Sequence, residues 1–220
     1  MAGLTAVASP EAAIGLDELR PGLWRWSARH PDADLDPKPG SPADWPPDVG
    51  CVACAAPGAL VVVDPLVPAG REPSFWAAMD GLVGRHGSRV AVVTTVQWHR
   101  RSRDAFVARY DATTSRAKDA LPDGVRPVAV RRAGEVMVWL EEHGALVPGD
   151  RLIGDGAGGV RLCPPSWLNY LRTKVTVADL RDALAPVRDL PVEMVLLSHG
   201  DPVLRDGANA IERALSAAEP

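Results

Sequence analysis

Three side chains that can bind a metal or move a proton occur far apart in the chain. They are His99, which lies within Thr94–Ser102, Asp150 and His199. Two imidazoles and one carboxylate can hold a catalytic zinc ion and leave a position for water, whose pKa the ion lowers to about 7. An imidazole or a carboxylate can also act as a general base. Asp150 and His199 are therefore the predicted catalytic residues.

Each of these residues follows a short apolar segment, and the segments are Val90–Val93, Ala145–Val147 and Met194–Leu197. Short apolar runs bounded by turn residues are typical of buried strands. His99, Asp150 and His199 are therefore expected near the ends of strands.

The rest of the chain predicts alternating strands and helices around these segments. Further strands are predicted at Leu16–Trp26, Cys51–Ala56, Ala59–Pro65, Val125–Val130 and Glu135–Leu140, with a hairpin turn at Pro57-Gly58. Helices are predicted from Ser74 to about Gly84 and at 103–110, 115–121, 177–184 and 207–217. The segment 31–48 is rich in proline and predicts a long irregular loop. This alternation favours an α/β sandwich, with residues 1–220 forming one domain.

Composition restricts the possible partners. The net charge of −4 and a pI near 5.7 provide no basic surface, so nucleic acid is not an expected partner. No apolar run approaches the roughly 20 residues that span a membrane, and the N-terminus lacks the pattern of a signal peptide. Three scattered cysteines predict no disulfide framework. We expect a cytoplasmic protein.

Five short motifs, in this order, are similar to those of the metallo-β-lactamase superfamily. They are Val61–Pro65, Gln97–Ser102, Arg131–Glu135, Gly149-Asp150 and Leu196–Gly200. The resemblance covers about residues 16 to 217. It implies a four-layer αβ/βα sandwich with a metal site along one edge of the two sheets. In that family the second motif carries a His-x-His-x-Asp-His cluster, and the Gly-Asp carboxylate bridges two metals.

The chain departs from the ligand pattern of that family. The family's ligand positions fall on Gln97, His99, Arg101, Ser102, Arg131, Asp150 and His199. A register shifted by one residue places Val96, Trp98, Arg100 and Arg101 in the first cluster and retains no ligand. In the first register only His99, Asp150 and His199 bind transition metals well, so the resemblance implies at most one zinc ion. The remaining histidines, His30, His86 and His143, are predicted to lie at the surface.

The arginines lead to a different hypothesis. Guanidinium groups cannot lose their protons, so Arg101 and Arg131 near the site would oppose a divalent cation. They could instead neutralise Asp150, and Arg100 and Arg101 could bind a carboxylate or phosphate through paired hydrogen bonds. This hypothesis predicts a small anionic ligand and no cofactor.

Tryptophans are expected to contribute the apolar part of a binding cavity. Trp98 lies within the degenerate ligand cluster, and Trp167 follows Pro164-Pro165-Ser166. Aromatic walls suit an apolar or planar ligand. Together with Arg100, Arg101 and Arg131, these two tryptophans are the predicted ligand-binding residues.

The sequence leaves three functions open. The leading one is a diverged protein of this fold without a dinuclear centre, which binds a small anion or hydrolyses an unassigned substrate. The second is a mononuclear metal-dependent hydrolase that uses His99, Asp150 and His199. The third is a structural or regulatory protein whose 31–48 loop contacts a partner.

Overall fold

A computed structural model describes residues 15–86, 89–115 and 121–217, which include two main β-sheets. The first sheet has six strands side by side in chain order: β1 (Asp17–Arg20), β2 (Leu23–Arg29), β3 (Asp48–Ala56), β4 (Ala59–Val63), β5 (Arg89–Val93) and β6 (Thr113–Ser115). Strands β1 to β4 are antiparallel neighbours, whereas β4, β5 and β6 are parallel. The predicted hairpin turn joins β3 to β4, with Gly58 at φ +72°.

The second sheet contains four strands in the order β12-β9-β8-β7. Their bounds are β7 (Val125–Val130), β8 (Glu135–Leu140), β9 (Ala145–Val147) and β12 (Met194–Val195). Strand β12 runs parallel to β9, and the other pairs are antiparallel. A separate hairpin pairs β10 (Leu152–Gly154) with β11 (Val160–Leu162).

Five α-helices lie among the described residues: α1 (Glu72–His86), α2 (Arg103–Tyr110), α3 (Pro165–Leu168), α4 (Val177–Leu184) and α5 (Gly207–Ser216). Two 3-10 helices span Glu141–His143 and Ala185–Asp189. Helix α4 begins at a capping box, in which Thr176 and Asp179 satisfy each other's backbone N–H groups. Within the described ranges, no helix is both long enough and apolar enough to cross a membrane.

Three apolar clusters show how these elements stack in layers. Inner-face residues of both sheets, among them Val61 and Val138, pack together in the middle of the molecule. The other face of the six-stranded sheet packs against α1 and α2, through residues such as Phe75 and Phe106. The outer face of the second sheet packs against α4 and α5. This α/β/β/α order is the predicted four-layer sandwich, because each sheet has one face for the partner sheet and one for helices.

Several predicted elements differ in detail from the structure. The predicted strand Leu16–Trp26 is divided into β1 and β2 by a turn with Gly22 at φ +83°. The last predicted strand is shorter and ends at Val195. The predicted helix 115–121 falls largely outside the described residues, and Ser115 ends β6. His143 is buried rather than at the surface, and Arg20 of β1 donates a hydrogen bond to its backbone carbonyl at 2.9 Å.

Candidate metal centre

The candidate site lies where strands of both sheets end. Asp64 directly follows β4, and the segment that contains His99 follows the parallel neighbour β5. Asp150 lies between β9 and β10, and His199 follows β12. An isolated bridge between Val49 and His199 brings the end of the second sheet against β3. The fold thus brings together residues that are distant in sequence.

His99, Asp150 and His199 form a buried group whose potential metal-binding atoms all lie within 4.8 Å of one another. His99 Nε2 is 3.0 Å from Asp150 Oδ1, and His199 Nε2 is 3.3 Å from the same oxygen. Oδ1 nevertheless has no partner with hydrogen-bond geometry among the described residues. The three atoms therefore converge on one point, as the ligands of a metal do.

The His99 ring is oriented by Asp64. Its Nδ1 lies 2.8 Å from Asp64 Oδ2, and the carboxylate in turn accepts hydrogen bonds from the backbone N–H of Thr95, at 2.9 Å, and from the Thr95 hydroxyl. A carboxylate on one ring nitrogen fixes the tautomer and directs the other nitrogen outward. Nε2 of His99 is thereby left to face Asp150 and His199.

The backbone at Asp150 is held by Glu135, the first residue of β8. The Glu135 carboxylate accepts hydrogen bonds from the backbone N–H groups of Gly149, Asp150 and Arg151, at 3.0, 2.7 and 2.8 Å. A Cβ atom on Gly149 would lie 2.5 Å from Thr95 Oγ1. A residue without a side chain is therefore required where the Asp150 loop passes Thr95.

The Asp150 side chain has a further partner in Trp98. The indole Nε1–H donates to Asp150 Oδ2 at 2.8 Å. Trp98 is 43% exposed, and the Arg151 guanidinium lies 6.0 Å from the centroid of its ring. Trp98 thus has a direct contact with one predicted metal ligand.

Arg101 lies near the site but does not pair with Asp150. One of its Nη atoms donates to the backbone carbonyls of Gly50 and Asp64, at 3.2 and 2.9 Å, and the other donates to Ser198 Oγ at 2.7 Å. Arg101 has φ +39°, in the left-handed region, and these hydrogen bonds compensate for that backbone strain. The guanidinium thus joins strand β3 to the segments that follow β4 and β12.

The predicted neutralisation of Asp150 by arginine is therefore wrong. Within the described residues, the ion-pair partners of Asp150 are His99 and His199. Arg131 is exposed, since it lies in the turn between β7 and β8, and Arg100 is exposed as well. Neither residue lines the cavity beside the site, so their predicted binding roles gain no support from their positions.

A cavity of about 670 Å³ opens next to the histidine–aspartate group. Its aromatic walls are Trp45, Trp98, Trp167 and Tyr170. The Trp45 and Trp167 rings each stand edge-on to the His199 ring, with centroids 5.3 Å apart. The sequence-predicted Trp98 and Trp167 thus both reach this cavity.

Part of the cavity wall comes from the proline-rich segment 31–48. Ser41, Pro42, Ala43 and Trp45 line it, together with His30, which was predicted to lie at the surface and is half-buried instead. A second cavity, of about 570 Å³, lies on the side of the glycine-rich turn after β10 and shares Trp45 and His199 with the first. The loop therefore covers the candidate site from both sides.

Charge and burial oppose each other at this site. Burial lowers the pKa of His99, but Asp150 and Asp64 outweigh burial and the nearby Arg101 and raise it to about 9. Burial tends to raise the pKa of Asp150, yet His99 and His199 hold it well below its usual range. Burial lowers the pKa of His199, so this imidazole is neutral. A neutral imidazole and an ionised carboxylate are the forms that bind metals.

The residues present fit a single metal ion. Two imidazole nitrogens and a carboxylate oxygen with no hydrogen-bond partner face one point, and Asp64 supports His99 from behind. The positive charge of Arg101 opposes a cation, but its two Nη groups donate to carbonyl and hydroxyl oxygens. This buried group could therefore hold a metal.

Sequence reasoning missed three contributors to the site. Asp64 was recognised as part of a strand-end motif but was not assigned a role. Glu135 lies four residues after Arg131, and only the turn between β7 and β8 shows that Glu135, not Arg131, points to Asp150. Arg151 is fully buried and donates from Nε to the Ala133 carbonyl at 2.9 Å. The signal available was position, since Asp64 and Glu135 lie within two of the motifs and Arg151 directly follows a third.

Comparison with known proteins identifies the fold through structure alone. No protein-family model matches the chain, and no curated protein sequence matches it. The solved structure of the DIM-1 metallo-β-lactamase exposed to ceftazidime superposes with a TM-score of 0.60 at 10% identity, over 91% of this chain and 94% of that one.

Two further solved structures are similar to this chain in fold. A metallo-β-lactamase from Erythrobacter litoralis gives a TM-score of 0.58 at 16% identity, over 91% of this chain and 93% of that one. A metallo-β-lactamase family protein from Thermus thermophilus gives a TM-score of 0.51 at 18% identity, over 89% of this chain and 79% of that one. At sequence identities this low, the structural similarity establishes the fold and leaves the activity open. The chain has the metallo-β-lactamase fold.

Proposed function

We propose that this protein is a hydrolase that uses one metal ion held by His99, Asp150 and His199. The observation that carries the proposal is the convergence of their three buried ligand atoms within 4.8 Å. Two imidazoles and a carboxylate suit a catalytic zinc ion, and they also suit ferrous iron. Such an ion polarises a carbonyl or phosphoryl oxygen and activates water near neutral pH.

The surrounding residues orient the ligands and shape the substrate site. Asp64 keeps Nε2 of His99 directed inward, and Glu135 fixes the backbone that carries Asp150. Trp98 and Trp167 offer apolar surface beside the site. We infer that they contact a planar, apolar part of a small substrate, since aromatic walls bind such groups.

Metal binding tests this function directly. Protein purified without chelator or affinity tag should bind one equivalent of zinc, or of ferrous iron without oxygen. A metal concentration 100 times Kd should stabilise the fold by about 2.7 kcal/mol. His199→Ala should lose binding. His143→Ala is the matched control, since His143 is a buried histidine outside the site, and it should retain binding. Wild-type protein that binds neither ion, with unchanged melting, would reject the proposal.

Arg101 supports a second candidate function, the binding of a small anion without a metal. Its half-buried side chain lines the cavity. A guanidinium that borders a cavity can bind a carboxylate or phosphate there. If the protein binds such an anion, phosphate or acetate should raise the melting temperature of the wild type.

The anion experiment has a matched control in the neighbouring residue. Arg101→Gln should lose the anion-induced shift, whereas Arg100→Gln, which changes an exposed arginine outside the cavity, should keep it. The comparison uses the ligand-induced shift of each variant, because Arg101→Gln also removes structural hydrogen bonds. Wild-type melting that no anion changes would eliminate this second function.

A further inference from the structure

We propose that Trp98 is a positioning residue that holds the Asp150 carboxylate with a single oxygen turned toward the two imidazoles. This inference rests on the proposed metal site and adds to it a residue that is not itself a ligand. It concerns one polar contact, the hydrogen bond from the indole N–H to the carboxylate.

The two oxygens of Asp150 have different surroundings. Oδ2 accepts the Trp98 N–H at 2.8 Å, while Oδ1 lies 3.0 Å from His99 Nε2 and 3.3 Å from His199 Nε2. The backbone of the same residue is held by Glu135. With its main chain and one oxygen fixed, the carboxylate cannot rotate freely, and Oδ1 stays in the ligand position.

Trp98 is itself supported on one side. The guanidinium of Arg151 lies 6.0 Å from the centroid of the indole, and Arg151 is fully buried, with Nε bonded to the Ala133 carbonyl. A cation near the face of an indole is attracted to it. The indole is 43% exposed and lines the cavity. Packing therefore fixes the position of the indole only in part. The hydrogen bond from its N–H to Asp150 fixes its orientation.

Removing the indole N–H has a specific consequence for metal binding. Asp150 Oδ2 would lose the donor that Trp98 supplies, and the carboxylate could rotate or chelate an ion through both oxygens. Loss of a partner that orients a metal ligand typically costs 10- to 100-fold in metal affinity. We expect a loss of that size for Trp98→Phe, which keeps an aromatic ring above Arg151.

Trp167 provides the matched control. It also lines the cavity and also contacts the site, with its ring 5.3 Å from that of His199. Its Nε1 is buried and has no hydrogen-bond partner among the described residues. Trp167→Phe therefore removes an indole N–H beside the site without removing a bond to a metal ligand.

The experiment is a titration of full-length wild type, Trp98→Phe and Trp167→Phe with zinc, in competition with a chelating dye. Wild type and Trp167→Phe should bind with affinities within about threefold, and Trp98→Phe should bind at least tenfold more weakly. Equal affinities for the two Phe variants would overturn the role of Trp98. The wild-type titration by itself tests the proposed metal site. A failure of that proposal can therefore be distinguished from a failure of the role inferred for Trp98.

Cobalt(II) gives a second readout that simple loss of packing would not produce. A carboxylate that binds through two oxygens raises the coordination number, which weakens the visible absorption of cobalt(II). Trp98→Phe should show this weakening and Trp167→Phe should not. Trp98→Gln, which keeps an N–H donor without the ring, should recover much of the zinc affinity. If Trp98→Gln binds zinc as weakly as Trp98→Phe, restoring an N–H donor does not restore the affinity, and the inference is wrong.

Discussion

At the residue scale, His99 is the side chain whose charge state decides how the site behaves. It lies between the carboxylates of Asp64 and Asp150, at 2.8 and 3.0 Å. These carboxylates outweigh the effect of burial and raise its pKa from 6.5 to about 9. Without a metal, His99 is therefore an imidazolium at neutral pH, and this charge offsets that of Asp150.

This raised pKa predicts a pH-dependent metal affinity. A metal requires neutral His99, so binding below pH 9 must release a proton, and the zinc affinity should rise about tenfold per pH unit between pH 7.5 and 8.5. The pKa of Glu135, which burial raises to about 7, lies below this range. Competition titrations at several pH values, with the dye calibrated in each buffer, measure the slope. A flat profile would contradict the assignment of His99 as a ligand.

The raised pKa of His99 has the opposite effect on the stability of the metal-free fold, which decreases as the pH rises. Because the folded pKa of His99 lies above its unfolded value of 6.5, protonation stabilises the metal-free protein fully below pH 6.5. That contribution is lost as the pH rises through 9. High pH thus weakens the metal-free fold by this route while it favours metal binding.

The residues of the site were only partly predictable from their types. His99, Asp150 and His199 were identified because they occupy ligand positions of the motifs that resemble the metallo-β-lactamase superfamily, and the structure brings them together. The orientation of Arg101 could not be predicted, because its partners are two backbone carbonyls and Ser198 Oγ, contributed by distant segments. A sequence shows which groups a side chain carries but not which carbonyl lies near it.

At the scale of elements, the start of β8 and the loop after β9 are joined by one buried carboxylate. Glu135 accepts three backbone N–H groups from Gly149, Asp150 and Arg151. Strand β8 pairs with β9, so the carboxylate sits where the chain leaves β9 and turns toward β10. The position of Asp150 depends on this contact between elements.

Glu135→Gln should therefore destabilise the fold. A carboxamide keeps one acceptor oxygen and places an NH₂ group against backbone donors, so we expect a loss of about 2–3 kcal/mol in the free energy of unfolding at pH 8. Glu141→Gln, a change of an exposed glutamate, should cost less than about 1 kcal/mol. Urea unfolding of the two variants and wild type measures the difference. Equal stability of Glu135→Gln and Glu141→Gln would show that the carboxylate does not hold the loop.

The strands are the elements that sequence patterns predicted best. Apolar runs such as Ala59–Val63 form strands because they are buried on both faces, between the partner sheet and the helices. Boundaries were less predictable: the last strand ends at Val195 although apolar residues continue to Leu197. Its end is set by pairing with the short strand β9, which lies elsewhere in the sequence.

At the scale of the whole molecule, two sheets face each other and helices cover their outer faces. The order of five short motifs was sufficient to predict this fold, and the solved structures confirm it. The part played by the 31–48 loop was not predictable, since proline indicates irregular backbone but not its course. Trp45 of that loop packs against both outer clusters and contacts His199.

In the function that we propose, three side chains of this fold hold one metal ion. The most direct measurement is anomalous diffraction from crystals of the full chain grown with zinc, recorded on both sides of the zinc absorption edge. If these side chains hold the ion, one peak should lie within about 2.0–2.2 Å of His99 Nε2, His199 Nε2 and an Asp150 oxygen. Crystals with no peak there, or with zinc bound only at surface carboxylates, would contradict it.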